Sequence, residues 1–194
     1  MTTSAYIHAT DDAVVRAAQR GDRTAFGILY SRYARMVHGI LLSRVPYTDV
    51  DDLLQDVFLQ ALARVVSLRE VSKFPGWLAS IARNRANDFH RRAKPHDELT
   101  DEATCPDSNS PALPPSPGPH AFTQAHAALD AIRSLPEAYR ETLILRLVEG
   151  MTGPEIAART GLTHGSVRVN LHRGMQQLRE ILAGNATPLT GGEL

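Results

Sequence analysis

The chain has almost no thiol chemistry: Cys105 is the single cysteine in 194 residues. That excludes an intramolecular disulfide and leaves no cysteine cluster for a metal. It suits a reducing compartment. No apolar run approaches the roughly 20 residues needed to cross a bilayer. The start, MTTSAYIHATDD, is polar and acidic rather than basic and then apolar. No signal peptide is therefore expected, and the chain reads as cytoplasmic. No stretch sustains the apolar–polar alternation of a half-buried strand, so no sheet is predicted. Net charge is missing too, with 21 Lys and Arg against 21 Asp and Glu.

What is present is an apolar fraction of 43%. It is enough to build a core in one ordinary domain or two small ones. The even charge balance hides segregation. Residues 83–94 hold Arg83, Arg85, Arg91, Arg92 and Lys94 against Asp88 alone, whereas 49–56 hold Asp49, Asp51, Asp52 and Asp56 with no cation. A further acidic group, Asp97, Glu98, Asp101, Glu102 and Asp107, follows. Opposed patches of this kind point to different partners at different places.

Helical spacing runs through the first half. Thr10 before Asp11 and Asp12 marks a helix start, and Gly21 a stop. Asp22 is placed to cap a second helix, with Phe26, Leu29, Tyr30, Tyr33, Met36, Val37, Ile40 and Leu41 at steps of three and four; Pro46 closes it. Asp49 is expected to cap a third helix, whose inward face runs from Val50 through Leu62 to Val65 and Val66. A fourth starts near Phe74 with Pro75 in its first turn. Four amphipathic helices with short joints predict an antiparallel bundle over 10–94.

Residues 95–120 are rich in proline, serine and acids, with almost nothing to bury; they read as a disordered linker. As a coil of about 26 residues it averages roughly 28 Å end to end, and as polyproline II it reaches about 80 Å. Helical patterning returns over 121–183, and 184–194 reads as a flexible tail. Ser134 and Glu137 have capping-box spacing, as do Thr152 and Glu155. Gly150 and Gly161 are placed to end helices. The overall expectation is an all-α chain of two small helical domains joined by a flexible linker.

The stretch GPEIAARTGLTHGSVRVNLHRG, residues 153–174, meets the demands of a helix-turn-helix. Its first helix is short, its turn carries Gly161, and its second helix keeps one face apolar. With Val167 and Leu171 inward, His164, Arg168, His172 and Met175 fall on the opposite side, flanked by Asn170 and Arg173. Arginine takes guanine in bidentate fashion and asparagine takes adenine, each discriminating by about 1–3 kcal/mol. The competing reading is a helical hairpin in a larger core. For Arg83, Arg85, Arg91 and Arg92 the alternatives are DNA contact or favourable cations near a helix C-terminus. Phe74 and Trp77 lie upstream, where the joint 67–76 would present stacking groups to exposed bases; plain core is the other reading, and the better one for Trp77. The acidic stretch 49–56 suits a basic protein partner or a solvated face. Asp51, Asp52 and Asp56 lack histidine company and a rigid loop for a metal site, so no metal or cofactor is expected. Cys105 has no positioned base, which argues against nucleophilic catalysis.

These residues resemble the bacterial RNA polymerase sigma factors of the extracytoplasmic-function type. DVDDLLQDVFLQAL at 49–62 is similar to the region 2 signature, and FPGWLASIARNRANDFHRRAKP at 74–95 to the helix that melts and reads the minus-ten element. Residues 135–182 resemble region 4. The resemblance implies that Asp52, Gln55 and Asp56 dock on the β′ clamp helices of core RNA polymerase. It implies that Arg83, Arg85, Arg91 and Arg92 face promoter DNA and that the joint before Trp77 captures a flipped base. Region 4 would read the minus-thirty-five element through His164, Arg168, Asn170, His172 and Arg173, and contact the β flap. An anti-sigma factor is a further partner that it implies; a membrane is not. Family members often carry more cations where this chain has Val169, Asn170 and Met175. Gly174 weakens the helix by about 1 kcal/mol. A stand-alone helix-turn-helix regulator that never joins polymerase is the alternative, and it leaves the acidic helix without a role.

Overall fold

The computed structural model describes Tyr6 and residues 9–93 and 127–185, which are helical apart from short joints. The linker 95–120 with Cys105 and its acids, the segment 121–126, and the tail from 186 lie outside the described residues.

Four helices form the first unit: α1 (Asp11–Gln19), α2 (Arg23–Leu42), α3 (Val50–Arg64) and α4 (Phe74–Ala93). The local signals that start them are in place. Thr10 Oγ1 accepts from Ala13 N, and Asp22 accepts from the amides of Thr24 and Ala25. Gly21 adopts φ 89° between the two helices, a conformation that glycine reaches without strain. Asp49 differs from expectation. It ends a 3₁₀ turn, Tyr47–Asp49, and accepts from Thr48 Oγ1 instead of capping α3.

The core is the apolar stripe of α2 wrapped by α1, α3 and α4. Leu29, Tyr33, Met36, Val37, Ile40, Val57, Phe74 and Leu78 are sealed within it. Tyr33 donates to Asp11, and burial followed by that carboxylate pushes its phenol up. Two residues assigned to the inward face of α3 point outward: Leu62 and Val66 are 43% and 70% exposed. The helix tightens into a 3₁₀ turn at Val65–Ser67, which rotates Val66 off the stripe while Val65 stays buried.

The second unit contains α5 (127–133), α6 (Glu137–Leu147), α7 (Gly153–Thr160) and α8 (His164–Asn185). Its core joins Ile132, Leu143, Ile144, Ile156, Val167 and Leu178. The capping box at α7 is complete: Thr152 Oγ1 accepts from Glu155 N, and the Glu155 carboxylate accepts from Thr152 N. The Thr152 amide and hydroxyl hold that carboxyl below its usual range. The box expected from Ser134 and Glu137 does not form. Pro136 occupies the N-cap, Ser134 Oγ donates to Ala131 O, and Glu137 reaches across to Arg44.

The two units lie against each other, α2 on α6 and α4 on α7.

Candidate nucleic-acid interface

The turn between α7 and α8 is built from its own residues. Gly161 takes φ 78°, Leu162 N donates to Thr160 Oγ1, and Ser166 N donates to Thr163 Oγ1, which caps α8. Ile156, Ala157 and Val167 pin the two helices together. The outward side of α8 then presents His164, Arg168, His172 and Arg173, all exposed, with Asn170 half-buried beside them. None of these five side chains makes a hydrogen bond or ion pair among the described residues. Met175 is not part of this face; it is half-buried against the core, and a helix of 3.6 residues per turn carries it there from Leu171. A short capped helix, a left-handed turn and a second helix with a free cationic face are the parts that a major-groove reader needs.

The cations of α4 are placed differently from one another. Arg91 is exposed and pairs with Asp88, a local contact of a solvated helix end. Arg92 is exposed and has no ion-pair partner among the described residues; it lines a cleft with Leu53, Asp56, Arg85 and Phe89. Arg85 is tied to Asp56, so one residue expected on DNA and one expected on a protein partner hold each other. Arg83 faces the second unit. Its Nη2 and Nε donate to the Glu141 carboxylate at 2.6 and 3.1 Å, and its Nη2 also donates to Thr160 O at 3.2 Å. Burial pushes Glu141 up, but the hydrogen bonds and charges of Arg83 and Arg44 outweigh it and hold the carboxyl low.

On α3, Asp52 and Gln55 are exposed and have no side-chain partners among the described residues, while Asp56 is half-buried. Among the described residues no group of three or more His, Cys, Asp or Glu side chains is arranged to hold a metal ion. Phe74 is fully buried, so it is a core residue and not a stacking platform. Trp77 packs partly on the same core, its ring 5.7 Å from Phe74. Sequence reasoning missed Arg44, Glu141 and Glu149. The only signal was a charged residue inside the apolar run of α6, Glu141 before Thr142, Leu143 and Ile144.

A bundle with an acidic helix and a basic helix, coupled to a helix-turn-helix, defines a class of protein that touches DNA and protein through separate surfaces. Comparison with known proteins makes the class specific. Residues 29–96 match the sigma-70 region 2 model, and residues 125–178 the sigma-70 region 4 model. The ECF RNA polymerase sigma-E factor of Haemophilus influenzae is 30% identical over 187 residues, covering 93% of this chain and 97% of that one. RNA polymerase sigma factor CarQ of Myxococcus xanthus is 34% identical over 170 residues, covering 84% and 91%. In fold the chain is similar to CnrH, solved in complex with the cytosolic domain of CnrY. The TM-score is 0.63 at 24% identity, over 91% of this chain and 99% of that one. The chain belongs to the extracytoplasmic-function sigma factors of the sigma-70 family.

Proposed function

We propose that this chain joins core RNA polymerase and directs promoter-specific initiation, acting in the cytoplasm by binding and not by catalysis. The domains follow the sequence boundaries: 10–94 docks and reads the minus-ten element, 95–120 spans the spacer, and 121–183 reads the minus-thirty-five element. Asp52 and Gln55 are the free contacts for the β′ clamp helices, with Asp56 beside them. Arg92 and, once released from their carboxylates, Arg83, Arg85 and Arg91 face promoter DNA. His164, Arg168, Asn170, His172 and Arg173 form the upstream reading face, and the second unit also contacts the β flap. An anti-sigma factor is a fitting regulator, because free basic and acidic surfaces on a folded chain are available to occlude.

The observation that carries this reading is that one chain holds both an acidic surface on α3, where Asp52 and Gln55 have no side-chain partner among the described residues, and a cationic face on α8 that has none there either. Carboxylates repel phosphate, so α3 needs a partner other than DNA. Equilibrium binding to core polymerase tests it. The Asp52→Arg/Asp56→Arg double variant should bind at least tenfold more weakly than the parent chain. Equal binding of the two contradicts the docking role of α3. Tight duplex binding without polymerase supports the stand-alone regulator instead.

A further inference from the structure

The side of α8 turned away from the core is not centred on its cations. Successive residues of a helix are turned by roughly 100°. Val167 is 1% exposed and marks the inward direction. Val169, two positions on, is turned roughly 160° from it. It is 43% exposed and stands near the middle of the outward face. Arg173 lies roughly 40° to one side of it, and Arg168 roughly 100° to the other. Both arginines are exposed, as are His172 and Gln176 nearer the middle. At the level of Val169 the face is therefore an apolar side chain with a cation on each flank.

The backbone beside Val169 is bare. Gly165 lies about one turn earlier on the same side. A Cβ there would meet only Thr163 Oγ1, at 3.9 Å. A surface can therefore approach the helix closely at that point. Val169 is also alone on its side of α8. The other large exposed apolar residue of this helix is Leu182. It sits roughly 20 Å further along, so no apolar row runs down α8 for a partner helix to cover. Helix propensity does not ask for valine either, since its branched side chain is less favourable in a helix than alanine.

We propose that Val169 reads the 5-methyl group of a thymine, and that the upstream element of this chain's promoters holds that thymine. The proposal rests on the reading of α8 as the upstream recognition helix and names what the middle of its face selects. In the major groove the base edges offer donors and acceptors, and thymine alone adds a methyl group. Valine has no polar side-chain atom, so it takes nothing from the rest of that code. A donor or acceptor set against it loses water without gaining a partner. The contact therefore favours thymine by burying its methyl and disfavours the other bases by stripping their polar edges. An arginine at the same place would select guanine. Cations on both flanks attract the two phosphate strands that wall the groove. The bare backbone at Gly165 lets the helix go deep enough for so short a side chain to reach the base.

The test uses the full chain with core RNA polymerase. A promoter-library selection first gives the upstream element. Each thymine of that element, on either strand, is then replaced by uracil, which removes the methyl and keeps every hydrogen-bonding atom. Fluorescence anisotropy at one fixed salt concentration reads the affinity for each promoter. At one thymine the replacement should weaken binding about fourfold, the size of one methyl returned to water. Val169→Ser removes the methyl groups of the side chain at nearly equal helix propensity. It should bind the thymine and uracil promoters equally, with circular dichroism confirming the helices. Val169→Ile should keep or raise the ratio, and a ratio lost in that folded variant counts against the assignment. Equal binding of thymine and uracil promoters by the parent at every position overturns the proposal. So does a selected element without an A·T pair. A preference that survives in folded Val169→Ser assigns the methyl to another residue and overturns the role of Val169. A parent chain with no affinity for polymerase brings down the proposed function itself, and this inference with it.

Discussion

A Cβ at position 174 would lie 3.0 Å from Leu143 Cδ1 and 3.1 Å from Tyr139 Cβ. Gly174 therefore lets α8 approach α6, and its low helix propensity is the cost of that packing. Gly174→Val should destabilise the chain by about 2 kcal/mol through overpacking, read by urea unfolding; a neutral result contradicts the close approach. Arg168 is the cleanest probe of base reading, being exposed and unpaired among the described residues at the start of α8. Arg168→Ala should relax preference at one upstream base pair, worth about 1–3 kcal/mol, in a promoter-library selection. A uniform loss across all sequences, with a shallower salt dependence, would make it a phosphate contact instead.

At the scale of elements, α7 is eight residues long and relies on its cap. Thr152→Ala should cost about 1 kcal/mol by the same unfolding measurement. The same element shows how far the sequence can be read. Thr152, Glu155 and Gly161 act through neighbours three residues away or fewer, and each does what its local pattern predicts. The misreadings are where the deciding partner is distant or the helix is irregular. Glu137 abandons a local cap for Arg44, 93 residues away, and Val66 leaves the α3 stripe because the helix tightens at Val65. Among site residues, the exposed face of α8 was legible because periodicity alone fixes it. The engagement of Arg83 by Glu141 was not, because no local pattern specifies which helix of another unit will meet α4.

For the whole molecule, the contact between the two units should depend on pH through His38. The hydrogen bond to Glu149 raises its pKa against the lowering effect of burial, with the charges of Glu149 and Asp51 adding to the rise. A raised value means that the stabilisation is complete below the ordinary histidine value of about 6.5 and is lost as pH climbs through the raised one. Glu141, held low, contributes throughout this window and weakens only in strong acid. The radius of gyration should therefore grow as pH rises from below the ordinary histidine value of about 6.5 through the raised one, and His38→Gln should flatten that change. A parent chain with no pH response would show that the His38–Glu149 contact does not hold the two units together. As a sigma factor, this chain turns a polymerase without promoter preference into one that has it. Run-off transcription by core polymerase over a promoter library, with and without the purified chain, measures that directly. The expected result is a small set of transcripts that appears only with the chain and vanishes with Asp52→Arg/Asp56→Arg. Transcripts unchanged by the chain would contradict it.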